Sequence, residues 1–254
     1  MSAPTRRLAG LAVVVVLAVA ACSAPSDGEP DGGTLTVYAA ASLTDVFEQL
    51  GGQFRDEHPE IELTIGYGSS AGAARGIVEG APGDVFASAD EQQMQVVTDA
   101  GLARDPVVFT SNVLTIAVPK GNPAGVTGLA DFARDDLALA VCAPEAPCGA
   151  AAERLFAAAV VSAVPDTYEE DARAALTKVE LGEVDAALVY VTDVRSVPHR
   201  VEGIDVPEAE QVVNRYPIAI LEDARNPGAA RAFVDLVLSE DGRRALADFG
   251  FRAP

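Results

Sequence analysis

Lysine is almost missing from this 254-residue chain, which has only Lys120 and Lys178. Histidine is as scarce, with His58 and His199, and there are three cysteines. In all, 18 basic residues face 38 acidic ones, for a net charge of −20. That balance denies the chain the basic face that nucleic-acid binding needs. Most of the acids read as solvated surface. An anion bound here must be held by local donors, because the overall field repels it. No Cys/His cluster supports a zinc centre, so no metal held by direct coordination and no cofactor are expected. There is no Gly-rich P-loop, so any ATP hydrolysis has to come from a partner. There is no internal repeat. The longest apolar run, residues 8–21, is interrupted by Gly10 and is short of the ~20 residues that span a bilayer.

That run has a function of its own. Arg6 and Arg7 precede it, and the small residues Val19-Ala20-Ala21 end it at Cys22. A basic start, a short apolar stretch and small residues describe a secretory signal over 1–21. Small residues directly before a cysteine resemble the bacterial lipoprotein box, in which that cysteine becomes the acylated first residue. The alternative is an ordinary signal peptide with Cys22 a bystander. Residues 22–33, rich in Pro, Gly, Ser and acid, read as a flexible tether. Losing Arg6 and Arg7 leaves 16 of the 18 basic residues against 38 acids, a charge of −22. In an exported chain the remaining pair, Cys142 and Cys148 in Val-Cys-Ala-Pro-Glu-Ala-Pro-Cys-Gly, reads as a disulfide across a turn.

From residue 34 onward, β-branched runs alternate with helical periodicity. Strands are expected at 34–38, 61–67, 84–87, 113–118, 137–141, 186–191 and 212–221. Helices are expected from Ser42, at 73–79, 90–100, 128–134, 150–160 and 169–181, with two more over 227–249. This alternation predicts an α/β fold with mostly parallel sheets and flanking helices. Such sheets bind ligands at the carboxyl ends of their strands. Several of those ends carry hydroxyls or glycines at a helix start: Ala41-Ser42, Ser69-Ser70, Cys148-Gly149 and Glu170-Asp171-Ala172. The first N–H groups of a helix lack intrahelical partners and lie at the positive end of its dipole, which suits an anion. Taken singly, each is as well explained as an ordinary cap.

The strings surrounding these junctions resemble one family. Thr36-Val-Tyr-Ala-Ala-Ala-Ser-Leu-Thr44 is similar to the opening strand and loop of the periplasmic molybdate-binding proteins of ABC transporters. Tyr67-Gly-Ser-Ser-Ala-Gly-Ala-Ala-Arg75 matches their serine run before a helix. Gly80-Ala-Pro-Gly-Asp-Val-Phe-Ala-Ser-Ala-Asp90, Glu170-Asp-Ala-Arg173, Gly182-Glu-Val-Asp-Ala-Ala-Leu-Val-Tyr190 and Phe249-Gly-Phe251 follow in the family's order. The resemblance runs from Thr34 to the end. It implies a two-lobed type II periplasmic binding fold, with lobe 1 over 34–111 and 215–254, lobe 2 over 112–214, and the ligand in the cleft between them. It also implies a ligand set: Ser42 and Ser70 through hydroxyl and backbone N–H, Tyr190 through its hydroxyl, and Cys148 and Ala172 through backbone N–H. The family commonly has Pro-Ala-Gly where this chain has Pro147-Cys148-Gly149, which puts the Cys148 position in most doubt. The implied ligand is molybdate, with tungstate nearly indistinguishable from it. The implied partner is a permease with its ATPase, and the protein itself would be a monomer held by Cys22 on the outer face of the cytoplasmic membrane.

The residue types agree with that implication. A fully deprotonated oxyanion only accepts hydrogen bonds, and Ser, Tyr and backbone N–H can donate them. A ligand that keeps a proton needs an acceptor too, and Asp45 and Asp171 keep phosphate open, as cavity size does sulfate. Arg173 reads as the partner of a neighbouring carboxylate. A rival reading is a serine hydrolase: Gly68-Ser-Ser-Ala-Gly72 fits the nucleophile elbow, with Ser70 as nucleophile. It would need His199 and either Asp185 or Asp193 to complete a triad.

Overall fold

The computed structural model describes residues 33–254. The expected signal segment 1–21, Cys22 and the tether up to residue 32 lie outside the described residues.

The chain opens with β1 (Gly33–Ala40), a 3-10 turn (Ala41–Leu43) and α1 (Thr44–Glu57). Then come β2 (Ile61–Gly68), α2 (Ser70–Val78), β3 (Val85–Ala87), α3 (Glu91–Asp99) and β4 (Val107–Asn112). A second group follows: β5 (Leu114–Pro119), β6 (Leu139–Cys142), α4 (Pro147–Ala159), β7 (Thr167–Glu169), α5 (Ala172–Glu180), β8 (Ala186–Tyr190), α6 (Val191–Ser196) and β9 (Val201–Ile204). The chain returns through β10 (Asn214–Ile220) and closes with α7 (Pro227–Leu238) and α8 (Glu240–Asp248).

These strands build two five-stranded sheets, ordered β2-β1-β3-β10-β4 and β7-β6-β8-β5-β9. Both sheets are mixed. Strands joined by helical crossovers pair in parallel, β1 with β2 and β3, and β6 with β7 and β8. β10 runs antiparallel to β3 and β4, and β5 antiparallel to β8 and β9. The sequence pattern reveals the parallel half, because a crossover helix leaves a long periodic signal. It misses β4, β7 and β9. β7 and β9 are only three and four residues long, and β4 is separated from β5 by Val113 alone. The helix expected over 128–134 is a 3-10 turn (Leu129–Ala133).

Each sheet has its own apolar core. In the first, Val46, Phe47, Leu50 and Phe54 form one face of α1. Phe233 of α7 packs edge-on against Phe47 and Phe54, with ring centroids 5.7 and 5.6 Å away, a favoured aromatic geometry. The buried Asp84 carboxylate accepts from the backbone N–H of Thr36, Arg225 and Asn226. It thereby ties β1 to the loop that leads into α7. The second core runs from Val113 to Val212. Among the described residues, the chain crosses between the two sheets twice. Asn112, which ends β4, and Asn214, which begins β10, are register partners, so both crossings leave the first sheet side by side.

Cys142 and Cys148 are joined in a disulfide with a Cα–Cα distance of 5.7 Å. It links the end of β6 to the start of α4. Gly149 follows, and a Cβ there would fall 1.9 Å from the Ala143 carbonyl oxygen, so only glycine lets α4 start against this loop. Replacing both cysteines by serine is expected to lower stability by about 2 kcal/mol, the loop-closure value for so short a ring. Urea denaturation with and without reductant measures it: the native protein should lose that amount on reduction, and the variant should lose nothing.

Candidate functional site

Four helix starts converge where the two sheets face each other. Together with the strand ends they bound a small, tight cavity lined by Ser42, Ser70, Cys148, Asp171, Ala172 and Tyr190, with small residues such as Ala40, Gly68 and Ala89 beside them. All five residues singled out from sequence therefore meet at one place. Ser42 and Ser70 come from the first sheet, and Cys148, Ala172 and Tyr190 from the second. A larger groove lies along α3 and β4. Its lining includes Glu91 and Asp105, which suits an anion poorly.

Capping sets this place apart. Away from the cavity, α3, α7 and α8 each have a side chain that caps their first turn: Asp90, Asn226 and Ser239. At the cavity, α2 and α4 have no side-chain cap. Their leading N–H groups, with no intrahelical acceptor, are left to the cavity. In α5 the Asp171 carboxylate accepts from Ala174 N–H, at 2.9 Å. That bond leaves the earlier Ala172 N–H free to point elsewhere.

The hydroxyls are primed as donors. Ser70 Oγ accepts the Ala89 N–H at 3.0 Å. Tyr190 OH accepts from Asn214 Nδ2 at 3.0 Å. Ser42 Oγ lies 2.9 Å from Tyr216 OH, and either can donate. Tyr190 is 1% exposed, and its phenol is held well above its usual range by burial, then by Tyr216 and the carboxylates Asp90 and Asp193. Burial does the same to Tyr216. Both phenols keep their protons and can donate.

The possible acceptors are occupied elsewhere. Asp45 pairs with the Arg173 guanidinium, and Asp171 caps α5. Arg173, on α5, reaches Asp45 on α1, Asp193 at 3.4 Å and Ser196 Oγ at 3.0 Å. It thus serves as an electrostatic latch across the cleft, paired with carboxylates as its sequence context suggests. Asp193 is 0% exposed. Its Oδ2 accepts the Tyr190 N–H at 2.9 Å, which steadies the backbone behind the phenol. Burial pushes its carboxyl up to about 6, against the opposing pull of Arg173.

Further contacts close the cleft. Gln93 Nε2 donates to Glu145 O at 3.1 Å, and Asn112 Nδ2 to Thr192 Oγ1 at 2.8 Å. Sequence reasoning missed Asn112, Asn214 and Tyr216. A lone amide or phenol in a strand carries no local signal for a contact made across the fold. The hydrolase arrangement is not assembled. His199 is exposed beyond α6, Asp193 is committed to Tyr190 and Arg173, and Asp185 accepts from Ala138 N–H.

Residues 35–252 match the family described as bacterial extracellular solute-binding protein. The chain belongs to that family. Solute-binding proteins bind and do not catalyse, so this chain is not an enzyme. It is similar to the molybdate-binding protein ModA of Mycobacterium tuberculosis (strain ATCC 25618 / H37Rv), 38% identical over 251 residues that span 96% of each chain. Among solved structures, the periplasmic molybdate-binding protein of Azotobacter vinelandii aligns with a TM-score of 0.74 at 20% identity, covering 87% of this chain and 99% of that one. The sulfate-binding protein SubI of Mycobacterium tuberculosis H37Rv aligns with a TM-score of 0.75 at 18% identity, covering 87% of each. At these identities the two structures carry the two-lobed fold and no ligand assignment.

The Asp193 carboxyl predicts a pH effect with a definite sign. Its folded value of about 6 stands above the ordinary aspartate value of 3.8, so between them the folded state holds more protons. The stability it contributes is present in full below pH 4 and is lost as the pH rises through 6. Asp193→Asn should remove that decline from a series of denaturation curves between pH 4 and 7. An unchanged decline would assign it to other groups.

Proposed function

We propose that this protein captures molybdate, and tungstate as well, in the interlobe cavity and delivers it to an ABC transporter permease. The observation that carries the reading is the set of donors that converge on the cavity, where the lining carboxylate of Asp171 is turned to the Ala174 N–H through Oδ1. Three hydroxyls (Ser42, Ser70 and Tyr190) and the helix-start N–H groups of Cys148 and Ala172 converge there. The nearby carboxylates are already bound to protein donors. A bare tetrahedral dianion accepts several hydrogen bonds and offers none, which matches such a lining. The 38% identity to a molybdate-binding protein over nearly the whole chain points the same way. Sulfate is the second reading, favoured by the fold shared with a sulfate-binding protein. It is also a bare dianion, so size and not hydrogen bonding must separate the two.

Ligand on the donors of both sheets would hold the lobes together, with rotation absorbed where Asn112 and Asn214 cross side by side. We take 34–111 with 215–254 as one lobe and 112–214 as the other. The Val19-Ala20-Ala21-Cys22 string favours a lipid on Cys22 that keeps a monomer at the outer face of the cytoplasmic membrane, next to the permease and its ATPase.

Calorimetry of the mature protein tests the ligand. Molybdate and tungstate should bind tightly, and sulfate and phosphate much more weakly. Tightest binding of sulfate or phosphate would reject the assignment. Ser42→Ala or Tyr190→Phe should each weaken molybdate binding by about 1.5–3 kcal/mol, the scale of a hydrogen bond to a charged group. Unchanged affinity in both would place the ligand elsewhere.

A further inference from the structure

Asn214 lies at the start of β10, on the crossing between the lobes, and is 2% exposed. Its amide nitrogen faces three acceptors: Ala89 O at 3.0 Å, Tyr190 OH at 3.0 Å and Pro147 O at 3.4 Å. Two of these are carbonyls, which can only accept, so the amide orientation is settled by its surroundings. With two hydrogens to give, the nitrogen serves Ala89 and Tyr190 and shares weakly with Pro147. The amide oxygen is buried with no hydrogen-bond partner among the described residues. That loss weighs against stability. A side chain that served packing alone would not carry it, so the donor end is what this position uses.

We propose that Asn214 is a positioning residue that sets ligand selectivity by aiming the Tyr190 hydroxyl proton into the cavity. The inference rests on the oxyanion-binding reading of that cavity. A phenol O–H lies near the plane of its ring, which leaves two directions for the proton. When Asn214 donates to the oxygen from one of them, the proton is sent to the other. The same amide holds the Ala89 carbonyl, and the Ala89 N–H donates in turn to Ser70 Oγ, which turns the Ser70 proton away from Ala89. Through the Pro147 carbonyl, Asn214 also touches the start of α4, beside Cys148. One residue outside the cavity lining therefore bears on three of the five proposed ligand groups. Two of them present hydrogens to the ligand because their oxygens already accept from behind. A bare dianion gains from this. Hydrogen phosphate, which brings a proton of its own, finds the acceptors turned away.

The test is a double-mutant cycle read by calorimetry with molybdate and with inorganic phosphate. Asn214→Leu keeps the approximate shape and removes the donor. With Tyr190 intact it should weaken molybdate binding about tenfold or more, the scale of one charge-assisted hydrogen bond. In the Tyr190→Phe background the same change should cost no more than about threefold, because coupled groups are non-additive. Molybdate should lose more than phosphate, so the ratio of their affinities should narrow. If Asn214→Leu does not fold, Asn214→Asp carries the same comparison, since a carboxylate accepts the Tyr190 proton instead of aiming it. Equal losses with and without the Tyr190 hydroxyl, or an unchanged molybdate-to-phosphate ratio, would reduce Asn214 to a structural role and overturn the proposal. Absence of molybdate binding by the unaltered protein would overturn the ligand reading and this one with it.

Discussion

An oxyanion that enters a protein gives up its water, and each lost hydrogen bond has to be replaced by a donor already in place. Here the requirement is unusually stringent, because the chain carries a net charge of −20 and repels anions at a distance. Lysine or arginine in the cavity would offset the charge, but the guanidinium of Arg173 is spent on Asp45 and Asp193. What remains is backbone N–H at helix starts and three hydroxyls. Such donors are held by the fold itself and need little reorganisation when the ligand arrives. The absence of side-chain caps on α2 and α4, beside caps on α3, α7 and α8, follows from the same need.

Dividing these donors between two sheets makes closure part of recognition. Ser42 and Ser70 are fixed to one apolar core, and Cys148, Ala172 and Tyr190 to the other. Neither set surrounds an anion alone. The contacts between the lobes include the Tyr190–Tyr216 ring contact and several polar pairs: Arg173 with Asp45, Arg252 with Glu210, Gln93 with Glu145, Asn112 with Thr192, and the Asn214 amide. Polar pairs of this kind exchange readily with water, so they can open and re-form as the two lobes turn about the paired crossings. The disulfide at the start of α4 sits on the other side of the balance, keeping one set of donors in shape whether the lobes are open or closed.

Much of this was legible in the sequence because it is local. Strand, small residue, hydroxyl and helix follow one another at Thr36–Thr44 and Tyr67–Arg75, and the periodicity of α1 and α5 places each helix start. The sheets proved mixed because β5 and β10, the strands by which the chain enters the second sheet and returns to the first, run against their neighbours and have no crossover helix before them to signal their direction. The hidden part is long-range. Nothing around Asn214 announces that its amide will meet Tyr190, 24 positions away, and nothing around Tyr216 points to Ser42, 174 positions away. Arg173 read as the partner of a neighbouring carboxylate, but its pairing with Asp45 across the cleft needed the fold to bring α1 and α5 together.

The central claim is that a bare oxyanion sits among donors alone. A crystal structure of the complex with molybdate tests it most directly. The account predicts ligand oxygens about 2.6–3.1 Å from Ser42 Oγ, Ser70 Oγ, Tyr190 OH and the N–H groups of Cys148 and Ala172, the range of charge-assisted hydrogen bonds. No carboxylate oxygen should lie at that distance. An anion held by Asp171 or Asp45, or seated outside the interlobe cavity, would contradict it.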